Sequence, residues 1–112
     1  GKCILLVASL DAMDSIPEPH KAVEELLKHQ QALLTQAANP SHPVLKKLVL
    51  AADAFLVRRE SCKSQSIIAG YHWFNDWGRD SMISLPGLTL ATGRLEEARS
   101  VLKTYQNYLS QG

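Results

Sequence analysis

From residue 20 onward the apolar positions fall at helical intervals. Val23, Leu26, Leu27, Gln30, Leu33, Leu34 and Ala37 recur at spacings of three and four, with Lys21, Glu24, Glu25, Lys28 and Gln31 on the other side. That period predicts an amphipathic helix, ended by Asn39-Pro40. Ser41 is expected to cap a second helix, whose first turn tolerates Pro43 because the missing amide would have had no partner there. Val44, Leu45, Leu48, Val49, Ala52, Phe55 and Leu56 form its broad apolar stripe, which predicts a stop near Arg58 to Glu60.

Residues 61–78 carry no helical period, several serines, and Gly70 and Gly78, so a long connection is expected there. Such connections are usually functional or disordered, and the aromatic content argues against disorder. A third helix is predicted from Arg79 to Thr92, with a kink or break at Pro86 and Gly87. Gly93 suits a left-handed cap, and Arg94-Leu95-Glu96-Glu97-Ala98 opens a fourth helix with acids where they complement the helix dipole. Leu95, Ala98, Val101, Leu102, Tyr105, Tyr108 and Leu109 supply its apolar stripe.

Ahead of the helices, residues 3–10 form a short continuous apolar run that suits a buried strand. Asp11 to Pro19 reads as a linker, since Pro17 and Pro19 remove amide donors and disfavour helix before them. The expected organisation is a strand and linker over 1–16 and a helical part over 17–112. The fold class is therefore all-α, two helical hairpins preceded by a short strand. Helices with single broad apolar stripes must pack on one another or on further pairs beyond this chain.

Charge excludes several partners. Twelve basic residues against 11 acidic ones give a net charge of +1, and no stretch collects five like charges. Nothing here favours nucleic acid or an anionic membrane. The run from Ile4 to Leu10 is too short to span a bilayer and lacks the features of an export signal. An internal strand of a larger protein would look like this, and the missing initiator Met agrees with a chain cut from something longer. Cys3 and Cys62 match no metal-ligand or redox spacing, so free thiols in a reducing compartment, the cytoplasm, are expected. His20, His29, His42 and His72 show no zinc spacing and no glycine-rich phosphate loop occurs. No metal and no cofactor is expected.

The chemistry concentrates in Ala69-Gly70-Tyr71-His72-Trp73-Phe74-Asn75-Asp76-Trp77-Gly78-Arg79-Asp80. Both tryptophans lie here, interleaved with Asp76, Arg79 and Asp80. A pyranose presents an apolar C–H face that can lie on an indole and a rim of hydroxyls that donate to carboxylates and accept from guanidinium. An Arg-Asp pair at a helix start can fix both the position and the orientation of one sugar. The same residues also allow a structural reading. In it Trp73, Phe74 and Trp77 are core residues under a loop, Arg79 and Asp80 form an ion pair or cap the third helix, and the chain is a helical protein-interaction module. Spacing alone does not separate the two.

The run from Ile67-Ile68-Ala69-Gly70 through Trp77-Gly78-Arg79-Asp80-Ser81-Met82-Ile83-Ser84-Leu85-Pro86-Gly87-Leu88, with Thr92-Gly93-Arg94 and Glu97-Ala98-Arg99, resembles the signature region of the glycogen debranching enzymes with amylo-alpha-1,6-glucosidase activity. Ala51-Ala52-Asp53 with Phe55-Leu56-Val57 resembles the family's second helix, so the likeness runs from residue 44 to the end. Residues 1–40 resemble it only in pattern. His72 stands where proline is usual, and Ser81 stands for threonine.

The resemblance implies an (alpha/alpha)6 toroid of six helix pairs, preceded by a beta-sandwich domain that residues 3–10 would end. It implies hydrolysis, with inversion and without a cofactor, of alpha-1,6 branch linkages in glycogen or branched alpha-glucans. Trp77, Arg79 and Asp80 map to binding of the non-reducing-end glucose, with Asp76 and Trp73 beside them. The acid and base of an inverting enzyme flank the bond about 6.5–9.5 Å apart. They are expected on later loops, beyond residue 112. Asp76 and Asp80 are a tempting alternative pair, but their shared segment would place both on one side of the sugar. The implied partners are the glucan and the remainder of the parent enzyme, and the 112-residue chain alone is predicted to be inactive.

Overall fold

A computed structural model describes residues 4, 7–8, 12, 15–16, 18–70 and 74–109. The strand expected over 3–10 falls mostly outside these residues. The chain divides into two units, Gly1–Ala32 and Leu33–Gly112. The first consists largely of helix α1 (Pro19–Gln36), which follows the predicted period and ends in the second unit. Its Val23, Leu26 and Leu27 are exposed.

In the second unit α1 stops through a left-handed pair, Ala38 and Asn39, both with positive φ. The Asn39 amide donates to the Leu34 carbonyl at 2.8 Å, which satisfies an end carbonyl of the helix. Helix α2 (Pro43–Asp53) begins one residue later than the Ser41 cap implies. Its N-cap is His42, whose Nδ1 accepts from the Val44 amide at 3.2 Å. Pro43 takes the first helical position and leaves the cap to the residue before it.

The stop predicted near Arg58 to Glu60 is too late. After Asp53 the Phe55 amide turns back to the Ala52 carbonyl, and the chain enters strand β1 (Leu56–Arg59). This pairs antiparallel with β2 (Ser64–Ile67) in the register Leu56 to Ile67 through Arg59 to Ser64. The expectation of an all-α chain of two helical hairpins is thus corrected. The second unit is mostly helical with a two-stranded hairpin where an irregular connection was expected. A lone hairpin is marginal in water, and β2 is held from outside the sheet. The Ser100 hydroxyl accepts from the Gln65 amide at 3.1 Å, and the Thr104 hydroxyl donates to the Gln65 carbonyl at 2.7 Å.

Helix α3 (Gly78–Leu85) runs into a π-helical turn (Pro86–Leu90). The break expected at Pro86 takes this form, with the Ala91 amide donating to the Pro86 carbonyl at 2.9 Å. Gly93 has φ 76° and a Cβ there would collide with the Gln36 carbonyl oxygen, so the left-handed cap is as predicted. Helix α4 (Leu95–Gln106) follows, with Glu96 and Glu97 in its first turn. Ile67, Leu85, Ala98 and Val101 form the core, against which Phe55, Leu56, Leu88 and Tyr105 pack. Val44, Leu45 and Leu48 of α2 and Leu95 and Leu102 of α4 are exposed. Among the described residues no helix is long and apolar enough to cross a membrane.

Candidate functional site

The segment after β2 folds back on the strand. Ile68 bridges to Asp76, and the Ala69 amide donates to the Asn75 carbonyl at 3.2 Å. This return turns Asp76 inward. Its Oδ2 accepts from Arg59 Nη1 at 3.0 Å and from the Ser66 hydroxyl at 2.6 Å, and its side chain is only 18% exposed. Ser66 also lies 3.1 Å from the Tyr105 hydroxyl, which in turn lies 2.8 Å from Ser81 Oγ. Ser81 donates to the Ile67 carbonyl at 3.2 Å. Ser66 and Ser81 are buried, so each hydroxyl depends on these protein partners for its hydrogen bonds.

The next residues are more open to solvent. Trp77 is extended (φ −121°, ψ 129°), precedes α3 directly, and remains 59% exposed. The structural reading that seals Trp77 in a core is not what the fold does with it. Phe74 is likewise exposed. Gly78 starts the helix with the Tyr105 ring close by, 3.6 Å from where a Cβ would stand. Arg79 and Asp80 then occupy the first turn with side chains 84% and 44% exposed, and Arg79 Nε lies 3.8 Å from Asp80 Oδ2. A pair this open and this long adds little to stability. The N-cap has no side-chain hydrogen bond, so Asp80 complements the helix dipole without capping it.

Asp80 also borders a groove of about 410 Å³, whose apolar lining includes Phe55, Ile67, Ile68, Ile83 and Leu88. Of the five candidate residues, Trp77 and Arg79 are exposed and Asp80 is half open, with Arg79 and Asp80 side by side. Asp76 is drawn inward, ahead of the helix. Trp73 lies outside the described residues. The two carboxylates therefore differ in surroundings: Asp76 is ion-paired beneath the turn, and Asp80 is half open on it.

Arg59, Ser66, Ser81 and Tyr105 were not legible as site residues from spacing. Each reaches the segment through the fold, and Arg59 stands 17 residues from its partner Asp76. Among the described residues no three His, Cys, Asp or Glu side chains gather into a metal-binding group. Cys62 is a free thiol. A hydrogen bond with Ser64, at 2.8 Å between Sγ and Oγ, holds its pKa below the ordinary thiol range.

Residues 50–112 match the family model for amylo-alpha-1,6-glucosidase. The chain belongs to this family. The amylo-alpha-1,6-glucosidase match begins within α2 and takes in the β-hairpin, the Asp76–Asp80 segment and α4. No solved structure matches the chain.

Proposed function

We propose that this chain is the part of a glycogen debranching enzyme that holds the non-reducing-end glucose of an alpha-1,6 branch. The observation that carries this reading is the open Trp77 indole just ahead of α3, with Arg79 and Asp80 exposed on the helix's first turn after Gly78. An exposed indole offers the sugar's C–H face a platform. The adjoining guanidinium and carboxylate offer its hydroxyls a donor fork and an acceptor. Because the Arg79–Asp80 pair is long and solvated, a sugar rim can replace it at low cost. Asp76 and Trp73 complete the site, Asp76 from beneath the turn.

In this reading residues 17–112 open an (alpha/alpha)6 toroid and 1–16 close a preceding beta-sandwich domain. Hydrolysis of branched alpha-glucan proceeds with inversion, in the cytoplasm. The acid and base come from other loops of the whole enzyme, since Asp76 and Asp80 approach the sugar from one segment and inversion needs opposite faces. The isolated 112-residue chain then binds glucan weakly and does not hydrolyse it.

The test is a titration of the whole enzyme with maltooligosaccharides, followed by tryptophan fluorescence. Saturable quenching or enhancement is expected, lost in Arg79→Ala and Asp80→Asn. A native enzyme whose fluorescence ignores the sugar would overturn the reading and favour a protein-interaction surface on the same aromatic turn.

A further inference from the structure

We infer that Tyr105 and Arg59 are positioning residues for the Trp77–Asp80 turn, an inference that rests on the sugar-binding reading above. The turn is fixed on both flanks, upstream by the β-hairpin and downstream by Tyr105 of α4. Upstream, Asp76 is held by Arg59 at 3.0 Å and by Ser66 at 2.6 Å. Downstream, Ser81 is held by the Tyr105 hydroxyl at 2.8 Å. The same hydroxyl lies 3.1 Å from Ser66; when Ser81 donates to the phenol rather than to the Ile67 carbonyl, the phenol donates to Ser66 and Ser66 to Asp76, so one phenol joins the two anchors. The Tyr105 ring packs by Gly78 in the middle of the turn. The Arg59 guanidinium lies over the Tyr108 ring, 4.9 Å from its centroid.

Unlike the open Trp77 and Arg79, Ser66 and Ser81 are buried and Arg59 and Tyr105 are partly so. Their effect on a sugar must pass through the backbone they hold. An indole exposed in an untethered turn would lose conformational freedom on binding, and that loss would weaken affinity. With Asp76 tied to the hairpin and Ser81 to α4, the turn keeps its ligand-ready path before the sugar arrives. Ser66 and Ser81 are 1% and 0% exposed, so water has poor access to replace the phenol hydroxyl where it is removed.

The experiment uses the whole enzyme and branched dextrin, with KM, kcat and thermal midpoint measured for Tyr105→Phe, Arg59→Gln, Arg59→Lys and Asp80→Asn. Tyr105→Phe keeps the ring and loses only the bridge. It is expected to raise KM about three- to tenfold, the range of one hydrogen bond, while kcat changes less than about twofold. Arg59→Gln is expected to raise KM similarly, with Arg59→Lys falling between it and the native enzyme. A lowered thermal midpoint with native KM in Tyr105→Phe and Arg59→Gln would make these residues structural only and overturn the inference. Should Tyr105→Phe fail to fold, the order of KM among the Arg59 variants decides. If Asp80→Asn also leaves KM unchanged, the sugar-binding reading itself falls. If Asp80→Asn raises KM and the anchor variants do not, only the positioning role falls.

Discussion

The Arg94 guanidinium sets its Nη1 2.6 Å from Asp53 Oδ1, tying the last residue of α2 to the start of α4. Its Nε also meets Glu97 Oε1 at 3.2 Å, and the Arg94 side chain is 8% exposed. Removing the arginine takes its positive charge away from two partly buried carboxylates, Asp53 and Glu97.

Arg94→Met is accordingly expected to destabilise the fold by about 2–4 kcal/mol, at or somewhat below the ~3–5 kcal/mol of a fully buried pair because both carboxylates retain some solvent. Urea denaturation followed by circular dichroism measures this. Arg94→Lys, which keeps the charge and loses the fork, is expected to fall between the two. A midpoint unchanged in Arg94→Met would show that this ion-paired link adds nothing to stability.

Gly93→Ala is expected to cost more than the ~1–2 kcal/mol of a left-handed alanine. The added Cβ meets the Gln36 carbonyl, a backbone group that cannot rotate away. The shift is expected in the same urea midpoint, with the Gln36 side-chain bond to the Gly93 carbonyl lost as well.

Ser81→Ala leaves the Ile67 carbonyl and the Tyr105 hydroxyl each short of a partner in a region closed to solvent. A loss of about 1–3 kcal/mol is expected. A double-mutant cycle with Tyr105→Phe should recover part of it, because the phenylalanine has no hydroxyl left to satisfy.

The Cys62 thiol should be alkylated by iodoacetamide with a pH midpoint below that of an unperturbed cysteine. The main cause is the hydrogen bond with Ser64, helped by Ser61 and the Arg59 charge and opposed by burial. In a Cys3→Ser background, Ser64→Ala should move the midpoint upward. The sign for stability follows from linkage: the folded pKa is the lower one, so this group's contribution is present above the unfolded thiol's pKa and fades as pH falls through the folded value.

Helix α1, the body of α2 and α4 were legible because their apolar residues recur at the helical period and the fold buries part of that face. Gly93 was legible because few other residues take its backbone conformation. The hairpin was not. Phe55 and Leu56 continue the stripe of α2, so β1 reads as more helix, and β2 opens with Ser64-Gln65-Ser66, three polar residues in a row. Ser66 is buried because Asp76 and Tyr105 meet its hydroxyl, a condition that local pattern cannot carry. For the same reason Trp77, Arg79 and Asp80 stood out as chemistry, while the inward turn of Asp76 waited on Arg59.

The widened turn at Pro86–Leu90 governs angular phase. In an α-helix two residues four apart overshoot a full revolution by about 40°, so Ser81, Leu85 and Thr89 would spiral steadily off a common side. A turn closed by a longer hydrogen-bonded ring advances less per residue and winds that drift back, and all three are buried. Everything from Gly93 to α4 inherits its azimuth from those five residues. Their identities can vary more freely than their number, because deleting one would restore the tighter α-helical ring, and with it the drift of about 40° per four residues that the wide turn now takes back.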